Sequence, residues 1–512
     1  MALRLSVRDV LRGGLRAVPY AATAAYAAGL WAVMSRHEMW RDEIQAWLLA
    51  RDSTTPWALL HNMRYEGHPG LWHLLLWGPA HLTADPVAMQ MVHAVIATAS
   101  VLLLLRFAPF NLITRLLLAG GYFMAYEWGV VSRNYAISVL LLFAVAALHR
   151  RRWVWFPAQA ALLFALCHTN IHSILLVLVL APTLAIEYAV AYAGRYHDAP
   201  RVLPRVLAGF LIIACGLVSG IRQTSPPDDT GFAPGWNWKW SQGQARQTAC
   251  SVFNAALPLP PDNVNFWTNN SVTQKVPPES LIPWALLILA IGCLFFAAQP
   301  WPIVPYLAGS AVLLVFFYVK YPGTYRHHGF LFLNFVVLLW MTWDYQRLRL
   351  PWRWADLPVG YGYRFRDVLL WPLLIVHIAG TCVAVKQDWK APFSNGKAAA
   401  AWLHGKYGDG SGHVLIGDSC LEASTVVGYA PFDRVFYASR NDYGSYVIWD
   451  NKWRGVGNLP NAIKRFRANG TNDLVLILSG PAPSMPGVKL VQSAAFTEPS
   501  IAHEQYYLYT VQ

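Results

Sequence analysis

Eleven stretches of this chain are apolar over lengths near or sufficient to cross ~30 Å of hydrocarbon, and no soluble fold needs so many. They fall at about 16–36, 86–106, 111–128, 131–149, 153–168, 170–193, 203–221, 281–299, 302–320, 326–345 and 368–386. Within lipid a backbone finds no water to bond, so each run must satisfy its own amides as a helix. A twelfth piece, Leu71–Leu82, is short, contains His73 and is broken by Gly78 and Pro79, so it is expected to be interfacial. Composition points the same way. Of the 512 residues, 55% are apolar and 13% charged, against about 25% charged in soluble domains. An ordinary soluble enzyme is excluded, and so is a disordered chain, which needs far less apolar surface. The 24 Trp, 24 Tyr and 23 Phe suit aromatic belts at two interfaces better than one oversized core.

Charge orients the runs. Segments 1–16, 106–115, 149–153, 194–205 and 344–366 hold 17 Arg and only four acids, Asp9, Asp198, Asp344 and Asp356, which marks them as cytoplasmic. That distribution, rather than nucleic acid binding, accounts for the net charge of +13. Counting inward from the triplet Arg150–Arg152 gives about eleven spans, with the N-terminus inside and the C-terminus outside. The transmembrane domain is then 1–387. It carries outer loops 37–84 and 222–280 and shorter outer turns at 126–134, 168–173 and 320–328. Residues 388–512 alternate short β-like runs (His413–Ile416, Arg434–Tyr437, Asp473–Leu478, Val488–Val491, Gln505–Val511) with turns and a helix-like stretch near Gly396–Lys406. They are expected to form an extracytoplasmic α/β domain. The first apolar stretch lacks a small-residue cleavage site and is expected to stay as an anchor. The six cysteines show no CxxC spacing, which argues against a disulfide framework or thiolate metal site.

Ionisable side chains are costly at membrane depth, and here they gather at the outer ends of the spans. Asp42 and Glu43 follow the first span, either as helix-start acids that complement the macrodipole or as a surface-held base or metal ligand. Tyr65-Glu66-Gly67-His68-Pro69 forms an irregular turn whose acid and imidazole suit a metal or proton transfer. Glu127 and Arg133 flank the second outer turn, where Arg offers a planar fork to phosphate or closes a local ion pair. His168 and His172 lie four apart, which puts them on one face of a helix or in a polar turn. Lys320, Tyr325, Arg326, His327 and His328 crowd one short loop, more than the snorkelling of a lone cation explains. One-sided clustering departs from the midplane polar sites of transporters.

At these residues the chain resembles the GT-C class of membrane glycosyltransferases, nearest in pattern to the protein O-mannosyltransferases, the aminoarabinose transferases and the bacterial transferases grouped with rhizobial galacturonosyltransferases. The resemblance covers roughly residues 10–345. It rests on the acid pair Asp42-Glu43, the turn Glu66-Gly67-His68-Pro69 where the class has Glu-Lys-Pro-Pro, a second outer acid, and Tyr325-Arg326-His327-His328 late in the membrane domain. His68 replaces the Lys of that turn. No Asp follows Arg133, Ser138 standing near that place, so Glu127 takes the second acidic role.

The resemblance implies a multi-pass α-helical fold of GT-C type in a bacterial inner membrane, with the site and tail in the periplasm. It implies an inverting transfer of a sugar from a polyprenyl-phosphate donor to a glycan, lipid or protein acceptor. Asp42 would deprotonate the acceptor hydroxyl, with Glu43 and Glu127 as further catalytic acids. Arg133, Lys320, Tyr325, Arg326 and His327 would hold the donor phosphate. A divalent ion, Zn²⁺, Mg²⁺ or Mn²⁺, would draw on Glu66, His68, His168, His172 and His328. The competing readings are a polysaccharide ligase or polymerase, a lipid or glycan transporter, and a non-catalytic bundle whose tail recruits partners.

Overall fold

The computed structural model describes residues 7–194, 199–231, 235–345, 357–360, 363–410, 412–430, 432, 434–453, 455 and 457–512. The basic segments expected on the cytoplasmic side lie partly outside them, at 1–6, 195–198 and 346–356. The chain is mostly helical. The helices before the tail are α1 (Val7–Met34), α2 (Arg41–Arg51), α3 (Pro56–Asn62), α4 (Leu71–Leu82), α5 (Val87–Phe107), α6 (Leu112–Gly120), α7 (Tyr135–His149), α8 (Phe156–Cys167), α9 (Ile171–Ala193) and α10 (Ala199–Thr224). They continue as α11 (Gln242–Ala256), α12 (Leu281–Leu294), α13 (Ile303–Val319), α14 (Tyr325–Met341), α15 (Phe365–Leu369) and α16 (Trp371–Lys390).

Among the described residues five stretches are long and apolar enough to cross a membrane: Ala17–Met34, Val87–Phe107, Ile171–Ala193, Arg201–Thr224 and Phe365–Lys390. The other apolar runs make shorter helices, α7, α8, α12 and α13 among them. The expected run 111–128 is not one helix, because α6 stops at Gly120 and Phe123–Glu127 winds as a π-turn. Such a turn widens the helix by one residue and recurs at functional sites.

Two departures position the site. Every residue of α14 is buried, which makes it the central helix, with α7, α11 and α13 packed around it. Helix α11, read in the sequence as part of an outer loop, packs against α12, α13 and α14. Its first half is largely accessible and its second half, Ser251–Ala255, is buried. An apolar cavity of about 410 Å³ opens beneath its end, lined in part by Val252, Ile288, Phe295, Phe332, Phe335 and Leu373.

The tail folds as a six-stranded mixed sheet with three helices. A two-residue ribbon, β1 (Pro358–Val359) with β2 (Tyr363–Arg364), precedes α15. The tail strands are β3 (Val414–Gly417), β4 (Val435–Tyr437), β5 (Asp442–Gly444), β6 (Leu474–Leu478), β7 (Leu490–Phe496) and β8 (Tyr506–Val511), in the order β5-β4-β3-β6-β8-β7. Strand β3 runs parallel to both β4 and β6. All five residues of β6 are buried, as a central strand covered on both faces requires. Val475 and Ile477 face one core with α17 (Gly396–Tyr407) and α18 (Cys420–Tyr429), while Leu474, Leu476 and Leu478 face α19 (Leu459–Ala468).

The first of those cores is shared. Ile44, Trp47 and Leu48 of α2 and Trp72 and Leu76 of α4 belong to the same buried cluster as Val426, Tyr437 and Leu508 of the tail. A fully buried side chain of this size contributes about 2 kcal/mol, so α2 is bound to the tail as firmly as to the helices. Gly428 makes that approach possible: a Cβ there would lie 2.2 Å from Ile44 Cγ2.

Candidate active site

The polar residues picked out in the sequence separate into two groups where α1, α2, α7 and α14 meet. The first group is closed. His37, just past α1, bonds Asp388 at the end of α16 through Nδ1 (2.8 Å) and Glu43 through Nε2 (3.2 Å). All three side chains are at most 1% exposed. Burial alone would lower the pKa of His37, but the two carboxylates outweigh it and push it up to about 10. Glu43 also accepts from the Ser132 amide at 2.6 Å and the Trp40 amide at 3.3 Å. The latter caps α2. Glu43 was expected beside Asp42 as a catalytic acid. Successive residues on a helix diverge by about 100°, and Glu43 turns inward, where both its oxygens are engaged.

The second group is open. Asp42 Oδ2 accepts from Arg326 Nη2 at 3.0 Å and lies 3.9 Å from Arg133 Nη1. Arg133 Nη1 also donates to the Asp42 carbonyl, and Arg41 Nε stands 3.6 Å from Oδ1. Burial opposes ionisation of Asp42, yet Arg133, Arg326 and Arg41 prevail and hold it below the ordinary carboxylate range. The pair Asp42–Arg326 spans 284 positions. Arg326 sits in the first turn of α14, its guanidinium over Trp40 (5.4 Å) and Trp267 (5.3 Å), contacts that fix a planar cation. Its Nε and Nη1 are buried and bond nothing among the described residues.

Glu66 and His68 join the open group from the turn before α4, where Gly67 has φ +68, a conformation that favours glycine. Glu66 Oε1 accepts from Gln45 Nε2 at 2.8 Å, and Gln45 exchanges two bonds with the Val447 backbone of the tail. Burial raises Glu66 to about 7. Burial and then Arg133 lower His68 to about 4. His68 stacks on His73 of α4 at 5.2 Å. His68 Nδ1 and both ring nitrogens of His73 are buried without hydrogen-bond partners among the described residues.

Glu127 is buried beneath this cluster. Its Oε2 accepts from Tyr122 (2.8 Å) and Trp267 (3.2 Å), and its Oε1 bonds nothing among the described residues. The other expected phosphate ligands do not join it. His327 Nδ1 caps α14 by accepting from the Thr324 amide at 2.9 Å, and its Nε2 meets the Tyr135 hydroxyl at 2.9 Å. The Tyr325 ring packs on Tyr122. Lys320 lies over Trp236 at 5.1 Å.

The expected metal ligands are dispersed. His168 bonds the Phe164 carbonyl and Ser219, and His328 bonds the Pro322 carbonyl and Asn254. His172 stacks against His327 at 5.0 Å, away from the Glu66–His68 turn on a different helix. Among the described residues, no three His, Cys, Asp or Glu side chains are placed to share an ion. These residues do not fit the expected divalent ion.

Arg41, Gln45, His73 and Asp388 were missed in the sequence. Arg41 was visible as the neighbour of Asp42. Gln45 and Asp388 carry no local signal, because each acts through a partner far along the chain, and His73, visible inside an apolar run, gains its place only by stacking on His68. Neither protein-family models nor curated proteins give a match to this chain.

Proposed function

We propose that the chain is a membrane glycosyltransferase of GT-C type that moves a sugar from a polyprenyl monophosphate to a hydroxyl-bearing acceptor, glycan, lipid or protein. One observation carries the reading: a buried guanidinium, Arg326, keeps two N–H donors unspent beside a second arginine and a group of carboxylates. Unpaired buried donors on a cation are expensive, and a phosphate oxyanion relieves that cost through charge-assisted hydrogen bonds.

The hydrocarbon part of such a donor has a place. Phe332 and Phe335, which line the apolar cavity, follow Arg326 on α14 by about 9–14 Å along the axis at 1.5 Å per residue. A donor chain running from a phosphate at Arg326 to these apolar walls would pass around α14.

In this reading the acceptor oxygen attacks the anomeric carbon opposite the departing phosphate, in one displacement that inverts the centre. Arg326 and Arg133 bear the charge that develops on the leaving phosphate, the kind of fixed electrostatic help worth about 10²–10³ in rate. No step needs a metal ligand set. The reading further holds that the apolar runs make eleven spans, with the N-terminus cytoplasmic and this cluster and the tail on the periplasmic side of a bacterial inner membrane.

The test uses the full chain in lipid nanodiscs with farnesyl-phosphate hexoses and methyl glycosides. Release of farnesyl monophosphate with formation of a disaccharide is expected. Activity only with diphosphate-linked oligosaccharides would replace the reading with a ligase, and no release from any donor would remove the enzyme.

A further inference from the structure

Three carboxylates, Asp42, Glu66 and Glu127, stand close enough to Arg326 or Arg133 to serve the proposed transfer, and the sequence pattern favoured Asp42 as the base. Their surroundings differ. Asp42 is clamped: Oδ2 is held by Arg326 with Arg133 behind it, and Oδ1 faces Arg41. Glu127 is 1% exposed, and its engaged oxygen faces Tyr122 and Trp267. Glu66 is only partly buried. One of its oxygens is fixed by Gln45, and the other makes no hydrogen bond among the described residues.

We infer that Glu66, rather than Asp42, takes the proton of the acceptor hydroxyl, and that the stacked imidazoles of His68 and His73 receive the acceptor beside it. This rests on the transferase reading above and goes beyond it. The fixed Oε1 aims the carboxylate, as a proton acceptor requires, and leaves Oε2 for substrate. The three unpartnered ring nitrogens of His68 and His73 are what a polyol needs: a neutral imidazole offers one donor and one acceptor. His68, held down to about 4, stays neutral through the physiological range and does not compete with Arg133 for the phosphate.

The step balances. The acceptor oxygen uses a lone pair to bond the anomeric carbon. The carbon–oxygen bond to phosphate breaks, and its electron pair leaves with the phosphate between Arg326 and Arg133. The hydroxyl proton passes to Glu66 Oε2, and the resulting acid later loses it to water. A base works best when its acid form titrates near the working pH. Glu66, raised to about 7 by burial, meets that condition, whereas arginine-bound Asp42 does not. The groups facing Glu66 are Asp42 and Gln45 of α2, Arg133 of the second turn and Tyr446 of the tail.

The experiment follows kcat and KM from pH 5 to 9 in the nanodisc assay with farnesyl-phosphate hexoses and methyl glycosides. For the wild type, kcat should fall below a limb near pH 7. Glu66→Gln should lower kcat by about 10²-fold or more, leave the donor KM within about threefold and abolish the limb, while Glu66→Asp recovers part of the rate. Asp42→Asn should alter the donor KM and keep the limb, and His73→Gln should raise the acceptor KM. Loss of the limb in Asp42→Asn, or its persistence in Glu66→Gln at near-normal kcat, would overturn the assignment. Should Glu66→Gln fail to fold, the profile of Asp42→Asn decides alone. A wild type that transfers no hexose refutes the transferase reading itself, and this assignment with it.

Discussion

His37, Glu43 and Asp388 on one side, and Asp42, Glu66, Arg133 and Arg326 on the other, are built from the same kinds of side chain and lie one helical residue apart at Asp42 and Glu43. In the first group the imidazolium lies between two carboxylates, and every oxygen of Glu43 is engaged. In the second, Arg326 keeps two donors and Glu66 one oxygen uncommitted. Of the closed group's carboxylate oxygens only Asp388 Oδ1 is buried without a partner among the described residues, and a network so nearly satisfied fixes geometry. An unsatisfied one is kept at a cost in stability and makes sense only when something else completes it. The closed group thus anchors α1, α2 and α16, and the open group is where a ligand is expected.

The largest effect should come from the open group. Arg326→Ala should reduce transfer by about 10³-fold, the scale of a lost oxyanion donor, while the melting temperature of the detergent-solubilised protein changes little or rises. A variant that melts far lower and still turns over would reverse the comparison.

The closed group should show the opposite pattern. Asp388→Asn removes one of two counter-charges from buried His37, a change worth about 3 kcal/mol, and should lower the melting temperature clearly. The pH dependence has a definite sign. The folded-state pKa of His37, about 10, lies above its unfolded value of about 6.5. Its contribution is therefore complete below about pH 6.5 and lost as pH rises through 10. Wild-type stability should fall between about pH 6.5 and 10 more steeply than that of Asp388→Asn; equal slopes would remove the ion network from the account.

A smaller effect should come from the shared core that carries both groups. Gly428→Ala places a methyl against Ile44, and overpacking of this kind costs about 1–3 kcal/mol. Because α2 then shifts against the tail, kcat should fall together with stability. A stable variant with normal turnover would show that the tail does not position Asp42.

The tail was largely legible. Four of the five β-like runs match strands to within one residue, the fifth, Val488–Val491, overlaps only the first two residues of β7, and the helix near Gly396–Lys406 matches α17. Period-two alternation and turn residues are local properties that survive folding. Strand β5 and helices α18 and α19 were missed, since three residues carry no period and both helices are short. Among the helices, the apolar runs marked positions well but not character. Nothing in Gln242–Ala256 distinguishes a surface loop from a helix driven against α14, because the partner surfaces on α12, α13 and α14 begin about 25 to 70 residues further along the chain.

The amino-acid order by itself determined that the chain would be helical and apolar over most of its length, end in a sheet, and collect its acids, arginines and histidines at the helix ends. Those outcomes follow from transfer free energies and backbone periodicity, which act over a few residues. Only the tertiary structure decided that Asp42 faces the opening while Glu43 faces the core, that Arg326 keeps donors to spare, and that His168 and His328 are consumed by local bonds. Hydrogen bonds and ion pairs are short-ranged and directional, so the state of each polar atom depends on which distant segment packing delivers to it.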